Sequence, residues 1–538
     1  MILAITVFFS NLLTCRTDVT GCVIRSSIVR NRIAGGMGQL FKIFNELFFG
    51  RPHAADFRLG VQLPYPSMSA DPEFKLVFGG VDMLIQDGDA HAAVLDWRTA
   101  GGTKPCFKCL NIVKKNSKYQ GDTTGTYKPL WTLDTAELKL NNDRLFGAML
   151  RRLRKEGEDN PDGLGDMEKE YGFNLNIHSW LHSPGLDIKP MKIACYDSMH
   201  CSVEGGFWDE ELECCVCKLS KFGYGSASLH SYLQLFQWPR AYASGKDICK
   251  SSTVHRAKEK ETKPNGSASE ILSAAPVVCK WLRDVIPDDV CPLEKQSAFA
   301  ACHVLDLIQK AETGEVTPEQ LRKAIYDWGE KHLQAYGTTL WKPKFHWILH
   351  LPQQLEDHGT LQPCFVHERK HKVVKRWAMP CTSKISYEIG LLEECTLQHL
   401  HALKDPLERP AVKDPVPAFP KMVEALKEAG FANDDDVVLS TLNMTVRSRS
   451  IRVGDVCTYQ LDGHGVGFAE IFFHSSVNGV CLTCLSDWPI VSKSDYYWKA
   501  TVREHCIIVD SDRLLHSVVF TPTTVGKTST IIMPCVYS

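Results

Sequence analysis

Residues 81–109 read VDMLIQDGDAHAAVLDWRTAGGTKPCFKC, and this stretch sets the expectations for the rest of the chain. The apolar residues before Asp87 predict a buried strand, and the alanine-rich residues after it predict a short helix with Asp87 or Asp89 at its N-cap. A carboxylate at the end of a strand can bind Mg²⁺, although a helix cap is the commoner role of such a residue. The following loop carries Cys106 and Cys109, whose CxxC spacing is half of a zinc site or two ordinary thiols.

Length and composition indicate a folded protein of several domains. The chain has 538 residues, of which 44% are hydrophobic and 23% are charged. Its formal net charge of -2 means that any contact with nucleic acid depends on local basic patches. The 21 cysteines are irregularly spaced, which favours a reducing compartment, nuclear or cytoplasmic. The apolar residues 1–15 are too few to cross a bilayer and predict a core strand, with a signal peptide as the alternative, and we expect no membrane partner.

The order of strand and helix patterns predicts an α/β fold with a separate β domain at the C-terminus. Near the N-terminus, strands are expected at 55–63 and 74–86, after an amphipathic helix at 38–50. Changes in periodicity, proline content and charge divide the chain into seven parts. These are an α/β core at 1–110, an insertion with further candidate metal ligands at 111–243, a polar disordered loop at 244–269, a helical bundle at 270–340, further helices at 341–404, a proline-rich linker at 405–420 and a small all-β barrel of SH3-like or BAH-like pattern at 421–538.

Two pairs of residues far from the CxxC sequence carry possible zinc ligands, and the first of them can complete the CxxC half-site. Asp197 and His200 converge on one side of a turn, where a carboxylate and an imidazole complete a shell begun by two thiolates. The alternative is a hydrogen-bonded structural histidine. His346 and His350 are one helical turn apart and could chelate zinc, but the glutamate of an HExxH motif is absent because residue 347 is Trp.

The stretch 365–371, FVHERKH, carries a further candidate carboxylate. Glu368 on a helix can serve as a metal ligand or a general base, or it can pair with Lys372 on a solvated helix face. Cations that can neutralise phosphates, or form an ordinary basic surface, follow it: Arg369, Lys370, Lys372, Lys375 and Arg376.

Taken in order, three sequence blocks resemble transposases of the CACTA type and their Plavaka-like relatives, which belong to transposable elements. The blocks are Asp87 to Cys109, then Asp197 to His200 followed by Gly205-Gly206, then the residues from His350 to His371 that include Leu351, Pro352, Gln354, Gly359, Leu361, Glu368 and Lys370. The resemblance covers about residues 35–380 and implies an RNase H-like mixed sheet with a large helical insertion. It implies that Asp87, or Asp89, is the second of two catalytic aspartates and that Glu368 is the catalytic glutamate. It also implies paired metal motifs at Cys106, Cys109, Asp197 and His200.

The chain departs from this family at the first catalytic aspartate. Upstream of residue 38 it offers only Asp18, and no strand pattern leads into that residue. A two-metal site needs its full set of carboxylates, so we expect an N-terminally truncated, catalytically degenerate protein. The predicted function is DNA binding by a transposase-derived protein with structural zinc, with magnesium only if it is catalytic.

Two other functions remain open at this point. One is a zinc-stabilised module that contacts chromatin or a protein through the C-terminal barrel, where Tyr496, Tyr497 and Trp498 line a pocket or pack at a strand edge. The other is an active magnesium-dependent transposase or nuclease that uses an unidentified aspartate. We also expect Asp87 to lie beside Glu368, and the CxxC thiols to face Asp197 or His200.

Overall fold

A computed structural model describes most of the chain. The described residues are 2–10, 16–25, 29, 31–49, 56–65, 73–115, 117–119, 124–186, 188–250, 255–256, 262–364, 374–379, 387–403, 410–446, 449–462, 465–494, 497–502, 505–522 and 528–532. The chain divides into two compact units. Unit 1 comprises Met1–Phe207 and Ala311–Leu400, and unit 2 comprises Trp208–Lys310 and His401–Ser538.

The secondary structure alternates in unit 1 and becomes mainly β near the C-terminus. The helices are α1 (Gly36–Phe49), α2 (Gly88–Val94), α3 (Asp143–Asp159), α4 (Pro161–Tyr171), α5 (Pro190–Ile193), α6 (Ser198–Ser202), α7 (Phe207–Ser220), α8 (Ser226–Leu233), α9 (Ala268–Asp284), α10 (Pro292–Glu312), α11 (Pro318–Tyr336), α12 (Pro343–Trp347), α13 (Leu351–His358), α14 (374–378), α15 (Tyr387–Leu403) and α16 (Pro420–Glu428). Short 3-10 helices lie at Thr99–Gly101, Thr135–Glu137, Trp180–His182, Pro184–Leu186, Arg240–Asp247, Ile348–His350 and Ser511–Arg513. None of the helices in the described ranges combines the length and the apolar content needed to cross a bilayer.

The strands pair locally in the first part of the chain and form larger sheets in the last part. They are β1 (Ile2–Ser10), β2 (Arg16–Arg25), β3 (Val61–Tyr65), β4 (Glu73–Val77), β5 (Leu84–Gln86), β6 (Ile112–Val113), β7 (Lys128–Pro129), β8 (Ala194–Tyr196), β9 (His255–Arg256), β10 (Thr262–Lys263), β11 (Ala411–Lys413), β12 (Val416–Pro417), β13 (Val438–Thr441), β14 (Asn443–Val446), β15 (Arg449–Arg452), β16 (Val456–Leu461), β17 (Gly465–Val477), β18 (Val480–Trp488), β19 (Ile490–Lys493), β20 (Tyr497–Thr501), β21 (Cys506–Asp510), β22 (Leu514–Ser517), β23 (Val519–Thr521) and β24 (Thr528–Ile532).

The parallel pair β5–β8 positions the candidate site of unit 1. Leu84 pairs with Ala194 and Gln86 pairs with Tyr196. Because the two strands run in the same direction, the residues that follow them emerge at the same edge. The mixed α/β class is confirmed. Within the described residues, however, the strands of unit 1 form separate pairs, and a continuous RNase H-like sheet stays a prediction.

Local signals placed several elements of unit 1 correctly. The predicted helix at 38–50 is α1, and the short helix after β5 is α2, which Asp87 caps as expected. The predicted single buried strand at 74–86 is wrong, because Gly79-Gly80 separates β4 from β5. The β4 strand pairs with β3 instead, and its Phe74 is 58% exposed.

Unit 2 combines helices α8, α9 and α16 and most of α7 and α10 with antiparallel sheets. A seven-stranded sheet has the order β12-β13-β17-β16-β22, with β18 joining β17 to β21. The turn between β17 and β18 is Asn478-Gly479, and both residues have positive φ, as a two-residue turn of this type requires. The β prediction is thus confirmed, whereas barrel closure stays a prediction.

The segments predicted to be a disordered loop and a linker each include two short strands. Strands β9 and β10 pair within 244–269, and strands β11 and β12 lie within 405–420. Composition reports local preference only, and these strands gain their hydrogen bonds from partners elsewhere in unit 2 or across a short loop. Parts of both predicted segments, 251–254, 257–261 and 405–409, lie outside the described residues.

Candidate metal centre

Four buried side chains of unit 1 converge in a cluster that can hold a metal ion. They are Cys106, Cys109, His346 and His350, and their ligand atoms all lie within 4.8 Å of one another. Nε2 of His350 lies 3.3 Å from Sγ of Cys106 and 3.4 Å from Sγ of Cys109. Nε2 of His346 lies 3.4 Å from Sγ of Cys109. Zinc bond lengths of about 2.0–2.3 Å with tetrahedral angles place sulfur and nitrogen ligands about 3.6 Å apart, so the spacing fits zinc.

The histidine pair is positioned by a run of helical turns. His346 lies on α12 and His350 ends the 3-10 helix that leads into α13, so both rings project from one side. Trp347, between them, donates from Nε1 to the carbonyl of Pro105 at 2.8 Å. This bond fixes the cysteine loop against the helix that carries both imidazoles.

The cysteine loop is anchored on its other side by Asn141. The amide N–H of Asn141 donates to the carbonyl of Lys108 at 2.8 Å, and its side chain donates to the carbonyl of Phe107 at 3.2 Å. The carbonyls of both residues between the two cysteines are therefore held by one neighbour. Both sulfur atoms point inward as a result, and each cysteine is only 2% exposed.

The electrostatics of the cluster favour a thiolate at Cys106, a protonated thiol at Cys109 and a neutral ring at His350. Burial raises the pKa of Cys106, but the hydrogen bond from Cys109, together with the His350 and His346 rings, holds that pKa well below its usual value. The hydrogen bond to Cys106 raises the pKa of Cys109 well above its usual value. Burial lowers the pKa of His350, which keeps the imidazole neutral. A neutral imidazole and a thiolate are the forms that bind zinc.

The structure changes the expected partners of the CxxC pair. The half-site itself is part of a buried Cys2His2 cluster, but the two histidines come from 346 and 350 rather than from the Asp197–His200 pair. The missing HExxH glutamate was the wrong criterion, because that residue serves a hydrolytic site and a four-ligand site does not need it. Spacing alone could not show which distant pair completes the shell.

Asp197 and His200 belong to a second cluster with Cys364. Asp197 is 2% exposed and caps α6: Oδ1 accepts from the Met199 amide at 3.1 Å and from the Cys364 amide at 2.8 Å. Its Oδ2 accepts from the amide of His200 at 3.1 Å and also contacts Nδ1 of that ring. Nε2 of His200 lies 3.0 Å from Oε2 of Glu204. Burial lowers the pKa of His200, but the hydrogen bond and charge of Asp197 outweigh it and raise that pKa overall.

Asp87 and Asp197 lie at the C-terminal ends of the neighbouring parallel strands β5 and β8. Asp87 follows β5 directly, as Asp197 follows β8, and its Oδ1 accepts from the amide of Ala90 at 2.6 Å. The helix-cap interpretation of Asp87 is thus confirmed, and Asp89 is exposed in the first turn of α2. Burial lowers the pKa of His91 to about 4, against the opposing charges of Asp87 and Asp197.

The third block is described only in part. Glu368, Arg369, Lys370 and Lys372 lie outside the described residues, so the expected proximity of Glu368 to Asp87 stays a prediction. Lys375 and Arg376 are exposed on α14.

Tyr196, the last residue of β8, joins all three blocks. Its hydroxyl donates to Sγ of Cys106 at 3.2 Å, and its ring stacks on Trp347 with centroids 5.1 Å apart. Gln354 of α13 accepts from the amide of Tyr196 at 2.8 Å and donates to its carbonyl at 3.0 Å. Residues separated by more than 150 positions therefore form one packed site.

The aromatic residues proposed to line a pocket in unit 2 are engaged in packing. Nζ of Lys280 lies 3.8 Å from the ring centroid of Tyr497, and Nζ of Lys493 lies 3.9 Å from that of Trp498. The Trp498 ring also packs edge-on against Phe468. Tyr496 lies outside the described residues.

Comparison of the chain with models of protein families, with curated proteins and with solved structures finds no match. The functional inference therefore starts from the side chains themselves.

Proposed function

We propose that this chain is a nucleic-acid-binding protein of the transposase type, whose unit 1 is held together by a structural zinc ion. The observation that carries the proposal is the convergence of the three blocks on Tyr196. Those blocks lie far apart in the sequence, and the resemblance to transposases rests on their motifs, order and spacing. Their meeting in one site supports a common functional core.

The Cys2His2 cluster supports zinc in a structural role. Thiolate and imidazole donors suit zinc, and four protein ligands leave no coordination position for a substrate. All four ligands are buried. His346 follows Cys109 by 237 residues, so a bound ion would connect two distant parts of unit 1. Such a connection lowers the entropy of the unfolded chain.

Exposed cations on α14 support phosphate binding. Lys375 and Arg376 project into solvent directly after the third block, while Val374 of the same helix is 2% exposed. With an overall charge of -2, binding must come from such local surfaces. A second pair of exposed cations, Arg151 and Arg152 on α3, provides a matched control in the same unit.

The surroundings of the two aspartates favour binding over cleavage. Three backbone amides and an imidazole already occupy the oxygens of Asp197, and Asp87 accepts from the amide of Ala90. In-line displacement requires a set of carboxylates that together hold two magnesium ions, and these hydrogen bonds compete with that role. We therefore expect DNA binding without magnesium-dependent cleavage.

Binding is tested by fluorescence anisotropy of a labelled DNA duplex at several salt concentrations. With about three to five phosphate contacts, a plot of the logarithm of the association constant against the logarithm of the salt concentration should have a slope of roughly -3 to -5. The double variant Lys375→Glu/Arg376→Glu should reduce the steepness by about 2, because each lost phosphate contact removes about 1 from the slope. Arg151→Glu/Arg152→Glu makes the same charge change on α3 and should have a smaller effect. Absence of binding by the parent, or equal losses in both variants, would contradict the proposal.

A second candidate function, a magnesium-dependent nuclease, is favoured by one observation. Asp87 and Asp197 follow neighbouring parallel strands and so provide two carboxylates at one edge. The test is incubation of supercoiled plasmid with magnesium. We expect no nicking. Nicking that disappears in Asp87→Asn and in Asp197→Asn, but persists in Asp89→Asn, would overturn the binding proposal in favour of a nuclease.

A further inference from the structure

We propose that Asp197, His200 and Cys364 form a second metal site, which takes zinc or a similar transition-metal ion rather than magnesium. Their ligand atoms lie within 4.8 Å of one another, in a cluster separate from the Cys2His2 cluster. The site goes beyond the proposed function, which requires only one zinc ion.

The cluster of Asp197, His200 and Cys364 is formed by residues that are distant in the sequence. The amide of Cys364 donates to Oδ1 of Asp197 at 2.8 Å, across 167 residues of sequence. This bond brings the thiol of Cys364, which is 6% exposed, to the carboxylate and the imidazole. Helix α6 holds His200 on the same side, because Asp197 caps the first turn of that helix.

The hydrogen bonds of His200 match those of a metal-bound histidine. Nδ1 contacts Oδ2 of Asp197, so on metal binding these two atoms would separate to about 3 Å and each would bond the ion in place of the proton that they share. The opposite nitrogen, Nε2, lies 3.0 Å from a carboxylate oxygen of Glu204. A ligating histidine generally donates its other N–H to a carboxylate, which orients the ring and strengthens the ligand. Glu204 therefore has the position of that supporting carboxylate.

The donor set determines the class of ion. Magnesium prefers oxygen ligands and near-ideal octahedral geometry, whereas thiolate and imidazole favour zinc and related ions. Three protein ligands leave a fourth position for water, as in catalytic zinc sites. The alternative is a helix cap with a hydrogen-bonded histidine and no ion, and the two cases differ in metal content.

Metal analysis of the purified full-length chain tests the site. We expect two zinc ions per chain in the parent, one in Cys364→Ala and one in Cys106→Ser. Cys201→Ala is the matched control, because Cys201 is a buried cysteine on α6 outside the cluster, and it should keep two. A single zinc in the parent, or two in Cys364→Ala, would refute the second site. If the parent holds a single zinc ion and only Cys106→Ser loses it, the second site is refuted and the Cys2His2 centre is supported.

A surface substitution keeps the test informative if Cys364→Ala does not fold. Glu204 is half-exposed on the surface. Glu204→Gln should lower the affinity for one of the two zinc ions by about 10- to 100-fold, since loss of a supporting carboxylate has this effect. The measurement is competition with a coloured zinc chelator, with the parent as reference. Equal zinc release from parent and variant would count against the site. So would displacement of the weaker zinc by a large excess of magnesium.

Discussion

Replacing Cys109 by serine should lower the stability of unit 1 by an amount that the structure allows us to estimate. Cys109 contributes one of four buried donors, and the ion would connect it to His346 across 237 residues. Treating the metal as a cross-link over such a loop, chain entropy contributes about 5 kcal/mol. For a unit of roughly 300 residues the unfolding entropy is about 0.6 kcal/mol per kelvin, so the melting temperature should fall by about 8 °C.

Differential scanning calorimetry of zinc-loaded protein measures this shift. Cys395→Ser is the control, because Cys395 is an equally buried thiol of unit 1 outside both metal clusters. Chelation of the parent should lower the melting temperature by at least as much as Cys109→Ser, and chelation of the variant should add only the contribution of the second proposed site. If zinc-free parent, verified by metal analysis, melts within about 1 °C of loaded parent, the structural role of the ion is refuted.

Two further predictions concern buried polar groups. Burial lowers the pKa of His474 to about 4, from 6.5 in the unfolded chain. Its contribution of about 3 kcal/mol to the free energy of unfolding is therefore complete above pH 6.5 and is lost as the pH falls toward 4. Chemical denaturation at several pH values should show a smaller acid loss in His474→Gln, whereas exposed His505→Gln should match the parent. Gln354→Ala should destabilise unit 1 by about 1–3 kcal/mol, because it leaves the buried amide and carbonyl of Tyr196 unpaired, and urea unfolding would measure this change.

Local sequence signals predicted what depends on neighbouring residues. The cap at Asp87 was predicted, because its side chain bonds an amide only three residues away. The strand at 74–86 was predicted wrongly, since an apolar run does not reveal which partner each half will find. β4 pairs with β3, whereas β5 pairs with β8 more than 100 residues later.

The candidate site shows the same limit more sharply. The CxxC pair and the i, i+4 histidines were both visible in the sequence as possible zinc ligands. Nothing in either spacing relates residue 109 to residue 346, and Asp197 with His200 has an equally plausible donor chemistry. Cys364 carried no signal at all, because its role depends on one backbone hydrogen bond to Asp197. Ligand type can be read from the sequence, whereas the assignment of ligands to sites requires the fold.

The two clusters are physically connected, which has a thermodynamic consequence. His350 belongs to the first cluster, and Gln354, one turn further on, bonds the backbone of Tyr196. The next residue is Asp197, a ligand of the second site. Zinc at the first centre should therefore order the carboxylate of the second and tighten metal binding there. Because coupling between two binding equilibria is reciprocal, occupation of the second site must tighten zinc at the first by the same factor. Gln354→Ala breaks this connection without removing a ligand from either cluster, so it should make the two affinities independent.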